Sequence, residues 1–362
     1  MDFRHGEDPL LFQETLRDFL AKECTAESVR AIWQTKTGRS PTLWKKLAEL
    51  GIPGVLVPEA QGGMGLDETT LVLLLEEAGR AALPEPLIGT AAVAAPLLRE
   101  LGGALAAEWL PRVAAGEAVV AVGHPVSPFV EDAHVAVLLL LPAGEGSAPH
   151  ASGDTELHAV RPADAAITEQ PANDPGRRIA SVTFTPGAAT RVAHGERARA
   201  LLAAALDRGA LAAAAEAIGA CDRMLALAVA YASQRKQFGK PVGSFQAVKH
   251  MLANVKVKLE YARPLVLRAA WSVAKGSPHR ALHVSMAKLA AGEAAALGAR
   301  NALQAHGAIG YTWEQDLHLW MRRAWSLEQA WGRSSFHLGR VRSEVLAGGV
   351  PIGPGTTFLG GA

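Results

Sequence analysis

Four long helical segments in succession constrain this chain more than any other feature. They run roughly over 197–234, 244–275, 278–306 and 312–346. At about 1.5 Å per residue, each is on the order of 40 to 55 Å long. Short turns join them, so neighbours run antiparallel and a four-helix bundle is expected. Ser277-Pro278 marks one helix start, and Thr312 with Gln315 three residues on has the form of a capping box. Alanine is abundant in these segments, which lets helix axes approach closely.

The remainder divides at composition changes. Residues 1–117 read as helices. Asp8-Pro9 and Ser40-Pro41 each offer an N-cap followed by proline at the first helical position. Leu10, Leu11, Leu16, Phe19 and Leu20 follow the first at helical spacing, and Leu43, Trp44 and Leu47 follow the second. The loop Pro58–Gly65 interrupts the pattern, Asp67 starts another helix, and Pro84 and Pro86 end it. Residues 118–190 carry short apolar or β-branched runs at Ala118–Val122, Val135–Leu141, Leu157–Val160 and Ile179–Phe184, as a small β-domain would. Ala143–Asp154 reads as a plain loop. The expected order is mainly α: an N-terminal helical domain (1–117), a shortened middle β-domain (118–190), a C-terminal four-helix bundle (191–347) and a mobile tail (348–362).

Composition excludes several classes of function. Lys and Arg number 36 and Asp and Glu 35, so no basic excess points to nucleic acid. The two cysteines, Cys24 and Cys221, have no metal-ligand spacing and suit a reducing cytoplasm, and no metal set is expected. The charged start is not that of a signal peptide, and Val135–Leu141 is too short to span a bilayer. The mean hydropathy of +0.12 is high for a monomer and favours a buried interface between subunits.

Three motifs in order make the chain resemble the acyl-CoA dehydrogenase family. The first is Leu43–Gly65 (LWKKLAELGIPGVLVPEAQGGMG), with Glu76-Glu77-Ala78-Gly79-Arg80 after it. The second is Tyr231–Gln246 (YASQRKQFGKPVGSFQ), continuing to His250 and Leu252. The third is Gln304–Glu314 (QAHGAIGYTWE). The resemblance implies an FAD-dependent oxidation of an acyl-CoA thioester, with electrons passed to an electron-transfer flavoprotein. It also implies that Arg235, Gln237 and Phe238 reach the FAD of a neighbouring subunit. An arginine fork suits a pyrophosphate, and Phe238 suits a flat apolar cofactor surface. Read locally, the same stretch is a helix-ending turn with Gly239-Lys240-Pro241 as the break. Gln304 and Gly307 match the second flavin contact, although Ala308 stands where the family usually has another glycine. For His306, a cofactor role and a plain helix-end role stand level.

The chain departs from the family where chemistry is done. Counting without gaps from Gln304, the position of the usual glutamate base is Trp331, followed by Gly332, with Met321-Arg322 and Ala324 supporting the register. An indole N–H donates and cannot accept a proton. A positioned base contributes roughly a hundred- to ten-thousand-fold in rate, so its loss has to be made good elsewhere. The family's alternative base position is Gly209, also not acidic. Asp207, two residues away, and Glu328, three before Trp331 on what reads as the same helix face, are the candidates for a displaced base. Each reads equally as a solvated or paired charge.

The isoalloxazine-holding segments of the family's middle domain have no counterpart in 118–190, although Asp174-Pro175-Gly176-Arg177-Arg178 resembles a stretch of shortened members. The resemblance then implies one subunit of a heteromer, an α2β2 assembly with an acyl-CoA dehydrogenase paralogue that supplies the base. A self-associated flavoenzyme with a displaced base, or a flavin-free scaffold, are the alternatives.

Overall fold

The computed structural model describes residues 5–144 and 154–348. The expected mobile tail lies, apart from Gly348, outside the described residues. So does most of the loop expected at Ala143–Asp154. Two compact units emerge: Met1–Lys22 with Val72–Ala82 and Ala213–Ala362, and Glu23–Leu71 with Leu83–Ala212.

The first unit is helical. It contains α1 (Glu7–Glu23), most of α4 (Glu68–Ala81), the second half of α7 (Gly195–Gln234), α8 (Gln246–Ala274), α9 (Arg280–His306), α10 (Leu317–Gln329) and α11 (Ser334–Leu346). α9 is the central member, and α8, α10 and α11 pack against it. Its buried face is almost all small, with Ala287, Ala291, Ala294, Ala295, Gly298, Ala299 and Ala302. The Cys221 thiol donates to the Ala294 carbonyl at 3.2 Å, which places α7 directly on α9. Close approach also explains the family-like Glu-Glu-Ala-Gly-Arg stretch. A Cβ on Gly79 would overlap the Glu216 carbonyl oxygen, and one on Gly219 would overlap that of Glu76. Backbone meets backbone there, which only glycine permits.

The second unit holds α2 (Ala26–Trp33), α3 (Pro41–Glu49), α5 (Ala95–Leu101), α6 (Gly103–Ala114) and two small sheets. The four-stranded sheet has the order β1 (Val120–Val122), β3 (Leu138–Ala143), β4 (Glu156–Val160), β7 (Arg191–His194), with β1 and β3 parallel. The three-stranded sheet runs β2 (Val130–Glu131), β6 (Ile179–Phe184), β5 (Ala165–Gln170). Ala121, Leu139, Leu141 and Val160 from the first and Val130 and Ala180 from the second share one buried core. Ser40 caps α3 as expected, its hydroxyl accepting from the Leu43 N–H at 3.2 Å. Such a cap stabilises by about 1 kcal/mol.

Four local expectations are corrected. No single helix covers 312–346: it breaks at 330–333 into α10 and α11, because Trp331 and Gly332 both take left-handed backbone (φ +55° and +99°). Thr312 starts no helix. A 3-10 turn over Gly307–Tyr311 comes first, the Thr312 hydroxyl donates back to the Ile309 carbonyl, and α10 begins at Leu317. α9 begins at Arg280 rather than at Ser277-Pro278, after Gly276 has ended α8 with φ +61°. Asp8 is no cap, since α1 starts one residue earlier; it sits in the first turn, where a carboxylate favours the positive helix end. β2, β5 and β7 were not legible as apolar runs.

Candidate functional site

α7 ends at Gln234, and the chain turns at once into a minimal hairpin: β8 (Lys236–Gln237) pairs with β9 (Lys240–Pro241). Phe238 and Gly239 form its two-residue tip at φ +52° and +79°. That is the turn whose twist matches a hairpin, and it demands positive φ at both positions. Glycine meets the demand freely. A phenylalanine there is strained by about 1–2 kcal/mol. The ring is also 91% exposed and stands edge-on to Phe245, with 6.1 Å between ring centroids. Strain and exposure together in one aromatic side chain mark a group held out for something other than this unit's own core.

The hairpin is tied to the helices on either side. The Arg235 N–H donates to the Tyr231 carbonyl at 2.9 Å, and the Val242 N–H donates to the Arg235 carbonyl at 2.8 Å. The Arg235 guanidinium is left exposed. Across from it, α9 ends at His306, and Gly307 takes φ +65°, ψ −142°. A Cβ on Gly307 would meet no atom within 4 Å, so space does not require glycine there; the backbone conformation does.

These two helix ends enclose an open pocket of about 690 Å³. Arg235, Gln237, Gln304 and Gly307 all line it, with Tyr231 and His306 behind and Val242, Val248 and Met251 forming apolar wall. Four of the five residues expected to hold a cofactor therefore meet in one place, and the fifth, Phe238, stands on the hairpin beside it. A fork of cationic donors, two amides, bare backbone and apolar wall fit a dinucleotide: anion, sugar and flat ring each find a matching surface. Tyr231 opens the YASQRKQFG motif but has no distinguishing neighbour in sequence. Its pairing with His306, 75 residues on, left no local signal. The two rings stack at 4.6 Å, with 24° between their planes.

The base position lies in the break between α10 and α11. Trp331 is half-buried there, and its carbonyl accepts from His337 Nε2 at 3.0 Å. That bond fixes the neutral tautomer of His337, so Nδ1 accepts from the Ser285 hydroxyl at 3.1 Å. His337 is fully buried, and desolvation together with the nearby Lys288 charge lowers its pKa to about 3. Lys288 itself, also buried, donates to the carbonyls of Leu327 at 2.8 Å and Glu328 at 3.0 Å, the free acceptors at the end of α10. Two polar side chains from α9 and one from α11 thus pin the break from beneath.

Glu328 does not share a helix face with Trp331, because Trp331 has left the helix. Its carboxylate instead accepts from the Ser334 N–H at 3.2 Å and the Ser334 hydroxyl at 2.7 Å, capping the start of α11. Asp207 belongs to the second unit and is buried at 2% exposure. Neither acid lines the pocket. The Asp174–Arg178 stretch is likewise occupied within its own unit. Asp174 accepts from the Gly176 N–H, Arg177 Nε donates to Glu131 at 2.6 Å, and Arg178 donates to the Trp33 carbonyl. Among the described residues, no group of three or more His, Cys, Asp or Glu could hold a metal ion, and no helix is long and apolar enough to cross a membrane.

Comparison with known proteins agrees with this geometry. The "Acyl-CoA dehydrogenase, N-terminal domain" family matches residues 6–117, and the "Acyl-CoA dehydrogenase, C-terminal domain" family matches residues 199–346. The chain belongs to the acyl-CoA dehydrogenase family. Its members are FAD-dependent oxidoreductases of lipid metabolism. The chain is 34% identical over 343 residues to acyl-CoA dehydrogenase IpdE2 of Mycolicibacterium smegmatis, covering 94% of this chain and all of that one. Among solved structures it is similar to a chain of the ChsE4-ChsE5 complex of Mycobacterium tuberculosis (TM-score 0.83, 25% identity, 96% of this chain and 99% of that one). It is equally similar to the Tcur3481-Tcur3483 steroid ACAD (TM-score 0.84, 26% identity, covering 96% and 99%).

Proposed function

We propose that this chain is the base-lacking subunit of a heteromeric acyl-CoA dehydrogenase. It would contribute dinucleotide contacts to an FAD bound between subunits, while an acyl-CoA dehydrogenase paralogue in an α2β2 assembly supplies the catalytic base. One observation carries the reading. The pocket of Arg235, Gln237, Gln304 and Gly307 is complete, while the turn at the family's base position carries an indole. The chain keeps what holds a cofactor and lacks what moves a proton.

When bound, FAD supplies the acceptor for the hydride leaving the substrate's β-carbon. The α-proton has to go to a carboxylate at the same time, and Trp331 cannot take it. In this chain Arg235 would neutralise the pyrophosphate, and Gln237, Gln304 and the bare backbone of Gly307 would position the nucleotide. Phe238, strained outward on its hairpin, would pack on the cofactor or on the subunit that shares it. Trp331 would fill the volume of a site this chain no longer uses. The similar ChsE4-ChsE5 complex and Tcur3481-Tcur3483 steroid ACAD each pair two proteins, and the steroid enzyme favours a bulky acyl-CoA thioester as substrate here. An electron-transfer flavoprotein would take the electrons, and Cys24 and Cys221, both buried and neither in a disulfide, suit a cytoplasmic setting.

A self-sufficient enzyme with a displaced base is the weaker reading. Glu328 is engaged as a helix cap and Asp207 is buried in the other unit. The test is purification alone and after co-expression with the paralogue, followed by a visible spectrum and an acyl-CoA oxidation assay. Flavin colour and activity only in the co-expressed sample are the expected result. A yellow, active protein alone whose rate survives both Glu328→Gln and Asp207→Asn would overturn the need for a partner's base.

A further inference from the structure

The pocket holds one histidine, whose role the sequence leaves open. His306 is 95% buried, lines the cavity and is held from two sides. Its ring stacks on Tyr231 at 4.6 Å, and Nδ1 is 2.8 Å from the Ala302 carbonyl one helical turn back. A carbonyl only accepts, so Nδ1 carries the proton of the neutral ring and Nε2 is left as an acceptor. Among the described residues, Nε2 has no hydrogen-bond partner. With Nδ1 turned back to the helix, Nε2 is the polar atom this residue offers to the pocket.

Nε2 is not among the buried atoms that lack a partner, so it opens on the pocket itself. An aromatic carbocycle could stack on Tyr231 equally well but would present no acceptor there. A ligand donor entering the pocket therefore finds an acceptor already fixed in place. The neighbouring groups leave that task open. Arg235 only donates, and the Gln237 amide nitrogen is engaged with the Lys236 carbonyl at 2.9 Å. His306 is the one histidine among the side chains lining the pocket, and with Nδ1 engaged its Nε2 can only accept.

We infer that His306 is a cofactor-binding residue whose Nε2 accepts a hydrogen bond from an O–H or N–H of the bound dinucleotide, with Tyr231 as the stacking partner that holds the ring to that task. The inference rests on the flavin reading above and deepens it. Dinucleotide donors of this kind are the ribose hydroxyls and exocyclic amine of the adenosine half, and the ribityl hydroxyls and ring N–H of the flavin half.

The experiment measures binding rather than turnover. The apo complex with its co-expressed paralogue is titrated with FAD, ADP and FMN, as wild type, His306→Asn and His306→Phe. Asparagine keeps a donor for the Ala302 carbonyl and loses the acceptor at Nε2. Phenylalanine keeps the stack and loses both. The expected result is a roughly two- to tenfold weaker FAD dissociation constant in both variants, the size of one neutral hydrogen bond. A matching loss for ADP places the donor in the adenosine half, and a loss for FMN places it in the flavin half. If FAD affinity stays at the wild-type value in His306→Phe, the residue only packs and the inference is overturned. So it is if the variants lower the melting temperature of the ligand-free complex without changing affinity. If wild-type complex binds none of the three probes, the flavin reading itself has failed, and this inference with it.

Discussion

His337→Gln isolates the group that holds the Trp331 turn, and its effect should vanish as pH falls. His337 is fully buried and its pKa is lowered to about 3, against 6.5 for a free imidazole. The unfolded chain therefore binds a proton at this site between about pH 6.5 and pH 3, and the folded chain does not. Stability falls as pH drops through that window, by about 1.4 kcal/mol per pH unit. At pH 5 the loss amounts to about 2 kcal/mol. Glutamine keeps an amide N–H for the Trp331 carbonyl, removes the titration and disturbs the Ser285 hydrogen bond, which costs about 1–2 kcal/mol at any pH. Wild type should then be more stable than the variant by about that amount at pH 8, with the advantage gone by pH 5. Urea denaturation at pH 5, 6, 7 and 8, comparing wild type with variant at each, reads the difference directly. A stability difference that stays constant across the four pH values would refute the assignment of a buried, neutral imidazole.

Three further outcomes follow from other residues. Glu85 is buried and accepts from the Ser40 N–H at 2.8 Å, and desolvation raises its pKa to about 8; its stabilising contribution is full below about pH 4.5 and lost as pH rises toward 8, the opposite sign to His337. Glu85→Gln should therefore gain on the order of 2 kcal/mol at pH 8 and little at pH 5 in the same denaturation series. Phe238→Gly should relieve the left-handed strain, raising stability by about 1 kcal/mol by thermal melt, while weakening flavin retention in the complex; equal retention would remove Phe238 from the cofactor site. Glu328→Ala should cost about 1 kcal/mol through loss of the α11 cap; a stability unchanged from wild type would return this carboxylate to the list of free acids.

The helical architecture was legible because the relevant signals are local. Ser40-Pro41 caps and starts α3, and the apolar spacing that follows is buried as Leu43, Trp44 and Leu47. Gly79 stands within a motif of the sequence, but the Glu216 carbonyl it makes room for lies 137 residues on, and nothing near either reports the other. The pocket behaved in the same way. Arg235 and Gln304 stand out within their motifs, whereas Tyr231 and His306 gain meaning only when α7 and α9 lie side by side. The β-strands that went unnoticed are those without an apolar run. β5 reads Ala-Ala-Ile-Thr-Glu-Gln and lies at the sheet edge, where pairing to β6 rather than composition makes it a strand.

Trp331 shows most clearly where a sequence reading of the site stops. Helical spacing runs unbroken through Leu327 to Leu338, and a tryptophan inside it gives no reason to break. Side-chain bonds hold the break. Lys288 takes the last carbonyls of α10 from across the bundle, while Glu328 caps the next helix and His337 takes the Trp331 carbonyl, each over six residues. Together they hold a non-glycine residue at φ +55°, a conformation that costs a bulky side chain about 1–2 kcal/mol. A turn kept only as a connection would relax that cost by taking glycine. This one keeps its strain and its buried supports while carrying a side chain that cannot accept a proton. The support is built for the shape of the turn, and so the shape is what this chain still contributes.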